Sequence, residues 1–346
     1  MNIVKKLLAF SIVICGAAVS ASEWSYSSNA VSDGNWTLGG TWNAEAGALT
    51  ITGCSAGSGV LDLRDMSVNG VPVAELRLEG TVFRNNTAIT EFHANRLCGA
   101  LKGTFNFATK LTTIDLAGSG LTEIGDVGGL GFAEAEARSS LKTVRTDCPN
   151  LCIIGDYAFN RCPELEGAFS DIIRPCVTNI GRSAFYGCKK LTGGFALDKT
   201  DRLGAQAFQN ASQLEYVRLG KGAATTFERK SQDGNFEGCA GLTNVVIEAD
   251  SFTMAACTFY RCSALKHLEL VVPEVIPFAE KKELNRTNLT FGYCDQMKEV
   301  VFAGPAPDSV GFDTLLTAFS ATDGEKPCTI YASKRQSGWR EVASPL

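Results

Sequence analysis

Ile154-Gly155-Asp156-Tyr157-Ala158-Phe159-Asn160-Arg161-Cys162-Pro163-Glu164-Leu165 is the stretch that decides how this chain is read. Its skeleton is Phe, then Cys three residues on, then Leu three further. It returns as Phe185/Cys188/Leu191, Phe236/Cys239/Leu242 and Phe259/Cys262/Leu265. With one or two substitutions it also reads Phe83/Asn86/Ile89, Phe105/Ala108/Leu111, Phe208/Ala211/Leu214 and Phe291/Cys294/Met297. Adjacent copies lie 22 to 32 residues apart, and the gap from Phe105 to Phe159 leaves room for one eroded copy around Phe132. A fixed phrase at a period of roughly 20–50 residues marks a repeat architecture, in which each unit buries its apolar face only against its neighbours.

After each phrase comes a short alternating stretch of the form L-x-x-V-x-I. Examples are Leu111 to Leu116, Leu214 to Leu219, Leu242 to Ile247 and Leu265 to Leu270. Alternation sends one set of side chains inward and the other outward, as in a half-buried strand. Upstream, Ile154-Gly155-Asp156 and Ile180-Gly181-Arg182 read as small-residue turns leading into Ala-Phe. Ala-Phe-x-x-Cys is too short for a helix and predicts one tight turn that plugs its Phe into the interior. The excess of 20 Phe over 7 Tyr and 4 Trp reflects that slot. Truncating such a Phe should cost about 3–5 kcal/mol. Phe195 falls on an outward strand position, so its truncation should cost far less than that of Phe185.

The chain has 346 residues, 45% hydrophobic and 20% charged, which is ample for a large core. Lys5 and Lys6, the apolar run Leu7 to Ala18 and the small residues Val19-Ser20-Ala21 have the layout of a secretory leader, too short for a membrane span. Cleavage after residue 21 removes two lysines and no acid, taking the net charge from −5 to −7. No basic block survives, which argues against nucleic acid and anionic membrane surfaces. No later stretch is apolar enough for an integral membrane segment. Cys162, Cys188, Cys239, Cys262 and Cys294 share one repeat position that Ala108 and Ala211 fill elsewhere, the behaviour of a small buried apolar slot. Cys54, Cys98, Cys148, Cys152, Cys176, Cys257 and Cys328 fall outside that column and leave one or two disulfides open.

The phrase Ile-Gly-x-x-Ala-Phe-x-x-Cys-x-x-Leu at Ile154–Leu165 and Ile180–Leu191 resembles the BspA-like, treponemal-type leucine-rich repeat. The resemblance covers roughly 83–302, about nine copies. Cys328-Thr-Ile330-Tyr331, with Trp339 beyond, looks like that family's closing strand and cap, with Ala332-Ser333 in place of the more usual Val-Pro. It implies a β-rich leucine-rich-repeat solenoid, curved, with short parallel strands on one face and tight turns on the other. An N-terminal β cap over 22–82 and a C-terminal cap over 303–346 would close its ends. Members of the family are commonly surface-exposed or secreted, and several are implicated in adhesion. The resemblance implies no catalytic residue. Within 22–82, Asp33-Gly34-Asn35 and Asn69-Gly70 are turn signals between β-type runs Ala48–Ile51, Val60–Leu63 and Glu75–Leu78. The longer spacing from Phe259 to Phe291 implies a loop inserted near Pro273–Asn288.

Little chemistry is legible. The two histidines, His93 and His267, take outward strand positions in the first and eighth copies. Seven strand spacings put them roughly 30 Å apart, too far to share a metal or an acid–base pair. Asp115 lies near one and Glu269 near the other, but nothing supplies a nucleophile elbow or oxyanion hole, so both read as solvated surface residues. There is no phosphate-binding glycine loop, and Gly125 to Gly129 reads as loop. Carboxylate pairs such as Asp62/Asp65 and Glu134/Glu136 span no cleft. No metal, cofactor or enzymatic activity is expected. Sequons at Asn35, Asn85, Asn210, Asn285 and Asn288 matter only in a host that glycosylates exported chains.

What remains is the strand face. Phe169 and Phe195 fall in one outward column beside Gly167 and Gly193, with Tyr216 and Arg218 in the next coil. Aromatics clustered with an Arg are the composition of an interface hot spot; the other reading is that a flanking loop covers these rings and makes them core. The sequence therefore predicts an exported, secreted, periplasmic or cell-surface binding protein of the adhesion type. Its partner would be an extracellular protein or glycan held near Phe169, Phe195, Tyr216 and Arg218. The alternative is a structural or envelope-associated solenoid that packs against copies of itself.

Overall fold

Each repeat makes two short parallel strands and one tight turn, and these stack coil upon coil. The computed structural model describes residues 22–125, 139–222, 226–227, 234–249, 257–271, 291–302 and 329–332. The leader, the copy around Phe132, the loop near 273–288, Cys328, Trp339 and most of 303–346 lie outside the described residues.

The L-x-x-V-x-I segments form the first repeat sheet, in ladders of four and seven parallel strands. In the longer ladder, Lys190–Leu197, Leu214–Gly222, Asn244–Ala249, His267–Val271 and Glu299–Phe302 run in order, followed by Thr329–Ala332. Val217, Val245, Leu268 and Val300 are in register and buried, and so are Leu219, Ile247 and Leu270. The two ladders meet where the Glu166 N–H donates to the Lys142 carbonyl at 2.9 Å.

The Ile-Gly segments are not turns. They form a second parallel sheet of six strands, among them Ile153–Ile154, Asn179–Ile180 and Arg202–Leu203. A two-residue strand is too short to show a period of two, which is why the sequence reads there as punctuation. At Gly181 and Gly204 the glycine after the strand is required by close approach. A Cβ on Gly181 would run into the Gly155 carbonyl carbon and the Asp156 nitrogen, and one on Gly204 into the same atoms of Gly181 and Arg182. Their N–H groups reach the previous coil, Gly181 to the Ile154 carbonyl and Gly204 to that of Ile180, both at 2.7 Å.

The Phe-x-x-Cys-x-x-Leu phrase is a pair of consecutive turns. The Cys239 N–H closes on the Phe236 carbonyl at 3.1 Å and the Leu242 N–H on the Cys239 carbonyl at 3.0 Å, and the same pair recurs at Phe259/Cys262/Leu265. Two residues after each Phe the backbone is left-handed, at Asn85, Phe107, Arg161, Gly187, Asn210, Gly238, Arg261 and Tyr293. Six of those eight residues are not glycine, so the turn imposes a conformation that L side chains resist.

This turn delivers its Phe to an aromatic spine. Phe159–Phe185, Phe185–Phe208, Phe208–Phe236, Phe236–Phe259 and Phe259–Phe291 stack at centroid separations of 5.3, 5.3, 5.5, 5.6 and 5.7 Å. Phe83 and Phe105 stack likewise at 5.3 Å. All eight rings are buried, as are Leu165, Leu191, Leu214, Leu242 and Leu265. Cys162, Cys188, Cys239, Cys262 and Cys294 are buried too, and four of these thiols bridge coils. Cys188 donates to the Phe159 carbonyl, Cys239 to Phe208, Cys262 to Phe236 and Cys294 to Phe259, at 3.0–3.1 Å. The slot is small and apolar, as expected, but it also offers a lone pair that only the cysteine can use.

Residues 22–82 build a mainly antiparallel sheet over buried Trp24 and Trp36, with Asn69-Gly70 at a hairpin turn of positive φ. Two strands of this region already join the coils. Gly59–Asp62 pairs in parallel with Ile89–His93, and Leu76 bridges to Leu97.

Candidate functional site on the outer wall of the first repeat sheet

The outward residues of the long ladder form rows across the coils. Tyr216, Asn244, His267 and Glu299 make one row; Arg218, Val246, Glu269 and Val301 make the next. Parallel register places these side chains one strand apart, so neighbouring coils present one continuous surface.

Two of the four residues expected on this wall are not there. Phe169 and Phe195 are 0% and 1% exposed and belong to the aromatic spine. Phe195 stacks on Phe208 at 5.0 Å, and Phe169 meets Phe185 edge-on at 5.7 Å. Counting along an unbroken strand put both in the outward column, but the strands are broken. Pairing shifts register at Gly193/Gly194, so that Phe195, four residues after Leu191, lies opposite Val217, three after Leu214. A one-residue slip turns a side chain from one face to the other. Gly193 takes the positive φ of 68° at this bulge. At Phe169 the strand has already ended with Ala168, and a helical turn, Phe169–Ile172, rotates the ring inward. No flanking loop is needed to cover either ring.

Tyr216 remains on the wall, 46% exposed. Its ring lies against Gly194, where a Cβ would meet its Cγ and Cδ1. Arg218 is not free beside it. Its Nη2 reaches Glu248 Oε1 at 2.6 Å, a carboxylate that holds the guanidinium above its ordinary pKa. Further inter-coil polar contacts follow the wall. His267 Nδ1 meets Glu299 Oε1 at 2.7 Å, and on the first ladder Arg145 meets Asp115 at 3.3 Å. His93 is not simply solvated: Nε2 meets Glu91 at 3.0 Å, and the buried Nδ1 has no hydrogen-bond partner among the described residues. Among the described residues the wall thus presents one exposed aromatic beside polar side chains, several of them engaged across coils.

Among the described residues no group of three His, Cys, Asp or Glu side chains could hold a metal ion. Every described cysteine is a free thiol. Burial pushes Cys188, Cys239 and Cys262 well above the ordinary thiol range. A thiol so held is a poor nucleophile. No helix among the described residues is long and apolar enough to cross a membrane.

A family model for the BspA type leucine rich repeat region matches residues 137–266 and 178–302, with six copies. The repeats belong to the BspA-type leucine-rich-repeat family. Proteins built on such repeats are generally non-enzymatic. No curated protein matches the sequence. Among solved structures, this BspA-type chain is similar to a leucine-rich repeat protein from Bacteroides ovatus ATCC 8483, at 16% identity and a TM-score of 0.48 over 78% of this chain and 71% of that one. It is also similar to the T. pallidum leucine-rich repeat protein, at 18% identity and a TM-score of 0.39 over 81% and 92%. A leucine-rich cell surface protein from Faecalibacterium prausnitzii A2-165 aligns at 14% identity and a TM-score of 0.34 over 91% and 96%. The fold assignment rests on the ladders and on the repeat match.

Sequence reasoning missed the Ile-Gly sheet, the thiol donors and the bulge at Gly193. The Gly-Gly pair at 193–194 was the available signal for the bulge, since glycine inside a strand pattern often marks one.

Proposed function

We propose that this chain is an exported, non-enzymatic recognition module that binds an extracellular protein or glycan through the outer wall of the first repeat sheet. The observation that carries the reading is Tyr216, a half-exposed aromatic on a rigid parallel ladder, with a rim of charges around it. Aromatic anchors inside polar rims dominate interface energetics. The leader-like residues 1–21 support export, and the antiparallel sheet of 22–82 supports a cap over the first coil.

The test is a binding screen of residues 22–346 against extracellular matrix proteins and glycans, with Tyr216→Ser beside the parent. Binding that the variant loses while its melting temperature holds supports the reading. Equal binding by both moves the contact off this wall. Concentration-dependent self-association in sedimentation, with no ligand found, favours the structural solenoid instead.

A further inference from the structure

The turn side of the coils carries a different chemistry from the strand wall. Between the turns at Phe159, Phe185 and Phe208 lies a shallow open hollow, lined by Asn160, Arg161, Ser183, Tyr186 and Gln206. The Arg161 guanidinium sits 5.9 Å from the Tyr186 ring centroid, across a coil boundary. Arg161 has no carboxylate partner among the described residues. The acids closest to it in sequence are engaged elsewhere, Asp156 by Arg202 at 3.2 Å and Glu164 by Lys190 at 2.7 Å. At the floor, Ser183 Oγ donates to Gln206 Oε1 at 3.3 Å, and Gln206 Nε2 donates to Gln209 Oε1 at 2.9 Å. These bonds hold the polar groups in place.

We infer that this hollow is a subsite for a carboxylate-bearing sugar residue of an extracellular glycan. A pyranose ring has an apolar C–H face that fits against a tyrosine ring, and in-plane hydroxyls that fit planar amides and hydroxyls. A guanidinium without a carboxylate partner among the described residues selects a carboxylate, which it holds bidentately. The net charge, −5 for the whole chain and −7 without residues 1–21, gives no general attraction for anions, so affinity for an acidic sugar must come from a local site. The pairing of an arginine with a ring from the next coil is repeated on this side. Arg84 lies over Phe107 at 5.8 Å, and Arg261 over Tyr293 at 5.9 Å, with its chain neighbour Tyr260 at 5.1 Å. Four coils separate Arg161 from Arg261, roughly 20 Å at the strand spacing, which suits a chain of sugars over a single one. The inference rests on the recognition reading for its class of partner but not on the strand wall.

The probes are a galacturonate oligomer and 3′-sialyllactose, titrated calorimetrically against residues 22–346, with methyl-esterified oligogalacturonate as the neutral control. Arg161→Asn is the decisive variant, because asparagine tolerates the left-handed φ of 55° that Arg161 adopts. Tyr186→Ala is the second, and Tyr216→Ser is the strand-wall control. Binding of either acidic probe, weakened about tenfold or more by Arg161→Asn and by esterification but not by Tyr216→Ser, supports the subsite. Failure of both probes to bind, equal binding by the esterified oligomer, or loss through Tyr216→Ser alone overturns it. The last of these leaves the strand-wall reading standing. If Arg161→Asn lowers the melting temperature, Tyr186→Ala decides the matter by the same criteria.

Discussion

Replacing Phe195 by Ala separates the two readings of this chain. On an unbroken strand, Phe195 is an outward residue whose truncation costs within about 0.5 kcal/mol. In the structure its ring is 1% exposed, stacked on Phe208 at 5.0 Å and 6.3 Å from Phe169. Truncation of a buried Phe costs about 3–5 kcal/mol, from lost transfer free energy and the cavity left behind. The ring pair with Phe208 adds about 0.5–1.5 kcal/mol beyond area burial. A loss near the top of that range, comparable with that of Phe185→Ala, is expected. At about 2 °C or more per kcal/mol, the melting temperature should fall on the order of 10 °C. The assay is thermal and urea unfolding of residues 22–346 followed by circular dichroism, with Tyr216→Ala as an exposed control that should shift little. A Phe195→Ala variant within about 1 kcal/mol of the parent would refute the register assigned at Gly193/Gly194. It would return the ring to the wall.

Three further outcomes follow from particular contacts. Cys239→Ala should cost about 1 kcal/mol, because it removes the thiol's bond to the Phe208 carbonyl while leaving almost no cavity; a loss above about 3 kcal/mol in urea unfolding would contradict this. Gly181→Ala should destabilise by more than about 2 kcal/mol, since its Cβ meets backbone of the coil before it, and an unchanged melting temperature would refute the close approach. Stability should also fall in alkali. Burial pushes the Cys98 and Cys148 thiols up to about 11 from an ordinary value of 9.0, and raises Cys188, Cys239 and Cys262 well above that ordinary value. The folded state therefore holds these protons more tightly than the unfolded chain does. That stability is fully present below pH 9.0 and is lost as pH rises through about 11 and beyond, so a melting temperature unchanged between pH 8 and 11 would refute it.

The recurring Phe, Cys and Leu positions determined by themselves that the chain is a solenoid. Only a ring and a small residue that neighbours must cover can recur in that way, and their burial is a property of period alone. The strands of the L-x-x-V-x-I segments were legible for the same reason, since alternation over several residues has one physical meaning. Three features were settled by tertiary structure. The Ile-Gly strands are too short to carry a pattern, and only inter-coil backbone contact makes them a sheet. The thiol ladder depends on which carbonyl of the previous coil faces each cysteine. Phe169 and Phe195 were placed by one bulge and one helical turn. The inward or outward sense of a strand residue is a parity, and a single inserted residue reverses it while leaving composition and spacing almost unchanged.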